Sequence, residues 1–195
     1  MSTAFVLGNG RSRLNVDPNK LIGKGKIFGC NALYREFKPD FLIAVDAPML
    51  SEIVESGYYK ENQVWTSQRN QNKFKQINII VPSRGWSSGP TALDFACKLN
   101  FRTIYIMGFD YTGIKNRFNN VYSDSKNYKK SSDTATYYGN WLKQTEQVIR
   151  ENGKVKFVRL YQQGITLVPK ELERYKNLTH MTYIQFNELL QQDKV

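Results

Sequence analysis

FVLGNGRSR, Phe5 to Arg13, sets an apolar run directly against Gly-Asn-Gly. An unbroken apolar run of this length reads as a strand buried on both faces, and the glycines after it as a tight turn. Strands buried on both faces belong to parallel sheets, because the helices that connect them cover the sheet. The same grammar recurs downstream. Lys26–Cys30, Phe41–Val45, Gln76–Val81, Thr103–Met107 and Val155–Leu160 read as strands, with a short one at Val64–Thr66. Helical patterns lie between them at Ala32–Phe37, Pro48–Ser56, Thr91–Leu99 and Ala135–Glu151. This alternation predicts an α/β fold, a Rossmann-like three-layer sandwich with a mostly parallel sheet.

The helix at 135–151 has the clearest period, with Tyr138, Trp141, Leu142, Thr145, Val148 and Ile149 on one stripe, read as core. Residues 112–133 break the rhythm. They are polar, rich in Asn, Ser, Lys and Tyr, and follow the strand that ends near Asp110, so they read as a lid insert over the carboxyl edge of the sheet. Near the end of the chain, RYKNLTHM reads as a connecting loop and TYIQFNELLQQ as a helix packed on the sheet.

The chain has 195 residues, 41% of them hydrophobic and 13% aromatic, enough for one core, so 1–195 reads as a single nucleotide-binding domain. It contains no run of about 18 apolar residues and no secretion signal, which makes the cytoplasm the expected location. Cys30 and Cys97 lack CxxC spacing and are flanked by apolar residues, so they read as reduced core thiols. A net charge of +11 favours anionic partners: nucleotide phosphates, nucleic acid or an acidic glycan. The excess is spread out, as on a solvated surface, and oligomeric state is not readable from it.

In an open α/β sheet, ligands collect beyond the carboxyl ends of the strands where strand order reverses. Gly8 and Gly10 give main-chain amides room to approach a phosphate, and Asn9 and Ser12 add side-chain hydrogen bonds. The pattern is not a nicotinamide fingerprint. A third glycine would have to replace Arg13, and the second strand runs into Asn31 rather than an acid. There is also no GxxxxGK[ST]. Ser87-Ser88-Gly89-Pro90 reads as a helix start whose amides and positive dipole end face the same edge, and the strand TIYIM brings Asp110 there.

Three stretches carry a family resemblance: FVLGNGRSRLNVDPNKL (5–21), IFGCNALY (27–34) and WSSGPTALDFACKLNFRTIYIMGFDY (86–111). Over roughly residues 3–160 the chain resembles the bacterial sialyltransferase family that includes the Campylobacter lipooligosaccharide sialyltransferases. It is also similar to the related MptE-like pterin diphosphokinases. The resemblance implies a glycosyltransferase that uses a nucleotide-activated, CMP-linked sugar donor and a glycan or other hydroxyl acceptor. It implies nucleotide contacts for Gly8, Asn9, Gly10, Ser12, Asn31, Ser87, Ser88 and Gly89, with Asp110 nearby, and no required metal or cofactor. The family uses lid tyrosines on the leaving phosphate, a role that Tyr111 and Tyr122 match though not in spacing.

The departure is the family's histidine base, expected just before the long helix. Here that region reads KKSSDTATYYGNW, and His180, the only histidine, lies far downstream. Asp133, or Asp124, is the substitute base that the sequence offers. The MptE-like alternative calls for a nucleoside triphosphate and Mg²⁺ on Asp46 and Asp110, although Asp46 reads equally as a helix N-cap. A third alternative is a catalytically inactive nucleotide- or nucleic-acid-binding module, for which the interleaved Tyr and Lys of YSDSKNYKK would be a stacking segment.

Overall fold

The computed structural model describes residues 2–195. Eight strands form one sheet in the order β5-β4-β3-β2-β1-β6-β7-β8, every neighbouring pair parallel. They are β1 (Thr3–Leu7), β2 (Lys26–Cys30), β3 (Phe41–Ile43), β4 (Val64–Ser67), β5 (Asn78–Ile80), β6 (Thr103–Met107), β7 (Lys156–Tyr161) and β8 (Leu178–Thr182). The helices are α1 (Ala47–Glu55), α2 (Ser88–Lys98), α3 (Gly139–Glu151), α4 (Lys170–Glu173) and α5 (Tyr183–Gln191).

The period of two along β1 divides the molecule into layers. Phe5 and Leu7 point to one face, where they join Leu42, Val158 and Leu160 under Leu50 and Ile53 of α1 and Phe186 of α5. Ala4 and Val6 point to the other, where Phe28, Ile104 and Ile106 pack under Leu93 and Ala96 of α2 and Leu142, Val148 and Ile149 of α3. The Rossmann-like sandwich is therefore built as expected. Strand order reverses between β1 and β6. The chain first builds outward from β1 to β5, then crosses back over α2 to start β6 beside β1. Packed on the centre of the sheet and against α3, α2 is buried almost all round, and its buried Asp94 is paired with Lys98 at 2.5 Å.

Four details differ from the sequence reading. The segment 178–182, read as loop, is the edge strand β8. It has a single neighbour, β7, and buries only Leu178, so pairing rather than an apolar pattern makes it a strand. The helix expected over 32–37 is a 3₁₀ turn, Asn31–Arg35. α3 begins at Gly139 rather than 135, and the upper end of its stripe, Tyr138 and Trp141, is 36% and 37% exposed instead of core. The tyrosines of YSDSKNYKK face inward. Tyr122 is buried, and the Arg35 guanidinium lies 5.9 Å over its ring and 5.8 Å over that of Tyr128. They offer no stacking platform, which leaves the net charge of +11 as the ground on which a nucleic-acid partner was expected.

The insert 112–133 has no helix or strand of its own. It is a strap drawn across the carboxyl edge, held by Val121 N–H donating to Asn9 O (2.8 Å) and by Arg35 donating to Ser125 Oγ (2.8 Å) and Lys126 O (2.9 Å). Asn127 donates to Glu52 at 2.7 Å. Glu52, held below the usual carboxylate range chiefly by its hydrogen bonds from Arg35, anchors both. No helix among the described residues is long and apolar enough to cross a membrane.

Candidate functional site

A cleft of about 350 Å³ opens at the carboxyl edge over the β1/β6 reversal. The turn after β1 and the turn after β6 form its floor. They are pressed together: a Cβ on Gly10 would stand 2.5 Å from the Asp110 carboxyl carbon, and one on Gly8 would stand 2.8 Å from Gly108 O. The glycines are thus required by loop-on-loop packing. Their amides are also engaged. Gly8 N–H donates to Met107 O, Gly10 N–H to Gly108 O, Arg11 N–H to Asn119 Oδ1 and Ser12 N–H to Asp110 Oδ2. The glycine turn, expected to cradle a phosphate, has these four amides already satisfied, and of its cleft-lining residues Asn9 keeps an amide with no partner among the described residues.

Asp110 is the clamp of this floor. Buried at 6% exposure, it accepts from Ser12 N–H, the Ser12 hydroxyl and Asn119 Nδ2. Ser12 is turned into that network, 3.0 Å from the Tyr183 hydroxyl, and does not line the cleft. The Tyr183 hydroxyl also accepts the Gly108 amide. From below, the fully buried Arg159 donates to Phe109 O at 3.0 and 2.7 Å and lies 5.2 Å over the Tyr111 ring.

The start of α2 is different. Ser87 occupies the N-cap position, but its side chain makes no cap bond. Thr91 N–H donates to Ser87 O, and Pro90 has no N–H. Among the described residues the amides of Ser88 and Gly89 have no partner, and both residues line the cleft. Two orphan donors at the positive end of a helix are the chemistry that can receive an anion. The Ser88 hydroxyl ties this end down: it accepts from Val45 N–H (3.2 Å) and donates to Asn31 Oδ1 (2.8 Å). Asn31, in the left-handed region at φ 53°, is thereby oriented with its Nδ2 donors unbonded within the chain. Asn9 donates to Cys30 O at 3.2 Å and to Tyr128 Oη at 3.3 Å. Half-exposed Tyr138 and Trp141 wall the opposite side.

No family model and no curated protein matches the chain. Among solved structures, the sialyltransferase CstII in complex with a trisaccharide acceptor and CMP aligns at 16% identity over 96% of this chain and 98% of its own, TM-score 0.56. A point mutant of the α-2,3/8-sialyltransferase CstII, the Campylobacter enzyme, aligns at 16% identity over 81% of each chain, TM-score 0.53. The chain has the CstII fold. Within that CstII-like frame, the structure gathers Gly8, Asn9, Gly10, Asn31, Ser87, Ser88, Gly89, Asp110 and Tyr111 around one cleft.

Other expected residues stand elsewhere. Asp133 is exposed, accepts Lys130 N–H at 2.9 Å and is not part of the cleft wall. Asp124, also exposed, accepts Ser131 N–H. Tyr122 lies under the strap, its hydroxyl donating to Glu36 (2.6 Å) and accepting from Arg13 (3.0 Å). Tyr111 borders the cleft, but its hydroxyl donates to Thr145 at 2.7 Å and burial drives its pKa far up. Both tyrosine hydroxyls are thus engaged by protein partners. Cys30 and Cys97 are free buried thiols, both raised to about 12 chiefly by burial.

Asp46 and Asp110 do not suit Mg²⁺. Asp110 has its oxygens filled by three donors, and Asp46 faces the Arg69 guanidinium at 3.8 Å. Sequence reasoning missed Trp141 and Tyr138, because a stripe does not reveal where burial ends. It also missed Arg159, for which a lone arginine inside an apolar strand was an available signal.

Proposed function

We propose that the cleft binds a nucleotide-activated donor, most simply a CMP-linked sugar, and transfers the sugar to a hydroxyl acceptor. The observation that carries this reading is the pair of unpartnered amides at the start of α2, set beside Asn31 at the strand-order reversal. The likeness of fold to CstII supports the same ligand class.

In this reading the donor phosphate sits on the Ser88 and Gly89 amides, while the nucleoside lies along Gly8, Asn9 and Gly10 with Asn31 Nδ2 donating to it. As the acceptor oxygen bonds to the anomeric carbon, the bond to phosphate breaks and its electron pair leaves with the nucleotide. The acceptor proton passes to solvent or to a basic group. The departing monophosphate carries one more negative charge than the phosphodiester donor. Fixed amides and a helix dipole therefore stabilise the transition state more than the ground state. Tyr138 and Trp141 offer flat apolar surface for the transferred or accepting sugar. Asp133 has no part in this scheme.

Thermal-shift measurements and calorimetry with CMP, UMP, GMP and AMP, without divalent cations, test the proposal. CMP is expected to stabilise the protein, and Asn31→Ala to weaken its binding about tenfold, the equivalent of about 1.4 kcal/mol. Absence of binding by all four nucleotides would remove the reading.

A further inference from the structure

We infer that Asp46 makes the cleft selective for a nucleotide joined through a single phosphate, by standing in the cleft wall near the start of α2 as an exposed carboxylate paired only at long range, with Arg69 at 3.8 Å. The inference rests on the nucleotide-donor reading above and sharpens it.

Asp46 directly follows Val45, whose N–H donates to the Ser88 hydroxyl at 3.2 Å, so it flanks the first residue of α2. It holds the N-cap position of α1 but makes no cap bond, and Pro48, in the first turn, has no N–H to offer. Its side chain is 66% exposed and lines the cleft. The nearest cation, Arg69 Nη2, is 3.8 Å from Asp46 Oδ1, and that guanidinium is tied to Val45 O (3.0 Å) and Gly85 O (3.2 Å). The other carboxylate of the cleft, Asp110, is saturated by Ser12 and Asn119.

Although the chain carries a net charge of +11, no lysine or arginine lines this cleft among the described residues. Sites for di- and triphosphates hold the added charge with lysine, arginine or metal. Here the cleft wall offers a second phosphate no such group, Arg69 being held to Val45 O and Gly85 O and facing Asp46, while the Asp46 carboxylate repels it. Within a Debye length and at the intermediate dielectric of a cleft, each added charge costs roughly threefold to tenfold in affinity.

The test is calorimetric titration of CMP, CDP and CTP at low salt without divalent cations, on the wild type, Asp46→Asn and Arg69→Gln. The wild type is expected to prefer CMP to CTP by about tenfold or more. Asp46→Asn should raise affinity for all three, most for CTP, shrinking that preference at least about threefold, and Arg69→Gln should widen it. A CTP-to-CMP ratio unchanged by Asp46→Asn, or a wild type that binds CTP more tightly than CMP, would overturn the role of Asp46 and leave the donor reading standing. If none of the three binds any of the proteins, the donor reading falls and this inference falls with it.

Discussion

α5 and α2 both begin at the carboxyl rim of the sheet, but their first turns are finished differently. At α5, Thr182 Oγ1 accepts Gln185 N–H (3.2 Å) while Gln185 Oε1 accepts Thr182 N–H (3.0 Å), a reciprocal cap. At α2, Ser87 has a side chain able to cap and does not, and two amides are left open toward a cleft. The same backbone chemistry is closed where it only has to stabilise and open where an anion can be taken. An uncapped N-terminus forgoes about 1 kcal/mol of helix stability, and at α2 nearly complete burial of the helix compensates.

The sharpest way to break this contrast is to close α2. Ser87→Asp supplies a capping carboxylate for the free amides, so CMP affinity should fall at least about tenfold while unfolding free energy rises by up to about 1 kcal/mol. Paired calorimetry and denaturant unfolding read both changes. A cap that stabilises the fold without weakening CMP binding would mean that the anion sits elsewhere.

A second effect belongs to the α5 corner. His180, on β8 two residues before the Thr182 cap, has both ring nitrogens buried without partners, and its pKa is lowered from 6.5 to about 4, first by burial and then by Arg159. The folded chain keeps it neutral while the unfolded chain protonates below 6.5, so the unfolded state binds more protons between 6.5 and about 4. Stability should therefore decline as pH falls through that window. His180→Leu should flatten the decline in urea midpoints measured across it, and an equal slope in both proteins would contradict this. Smallest of the three, Thr182→Ala opens α5 and should cost about 1 kcal/mol, roughly 2–4 °C in melting temperature, with CMP affinity unchanged. A loss of CMP binding on this change would erase the distinction between the two helix starts.

How much of this was readable in advance differs between the fold and the site. The layers and the parallel sheet follow from apolar runs such as AFVL and TIYIM, because a parallel strand buries both faces and shows it in composition, whereas the order of the strands does not. β8 was not readable, since an edge strand is specified by its neighbour. At the site, SSGP announced a helix start facing the cleft, and Asn31 stood where the second strand ends. The sequence could not distinguish a free amide from a satisfied one. GNGRS looks like an open phosphate turn, but the decisive facts are the carbonyl of Gly108 and the carboxylate of Asp110 pressed against it, about a hundred residues away in the chain. Asp133, Asp124 and Tyr122 were chosen for chemical type near an expected gap, and the path of the strap carries them out of the cleft.

The most direct measurement is an amide-resolved NMR titration with CMP. The Ser88 and Gly89 N–H resonances should shift most, with smaller changes at Gly10 and Ser12, whose amides are already bonded, and none at Tyr183 and Ile184 at the start of α5. Shifts that leave Ser88 and Gly89 unmoved while CMP binds would contradict the claim that the open end of α2 is the anion site.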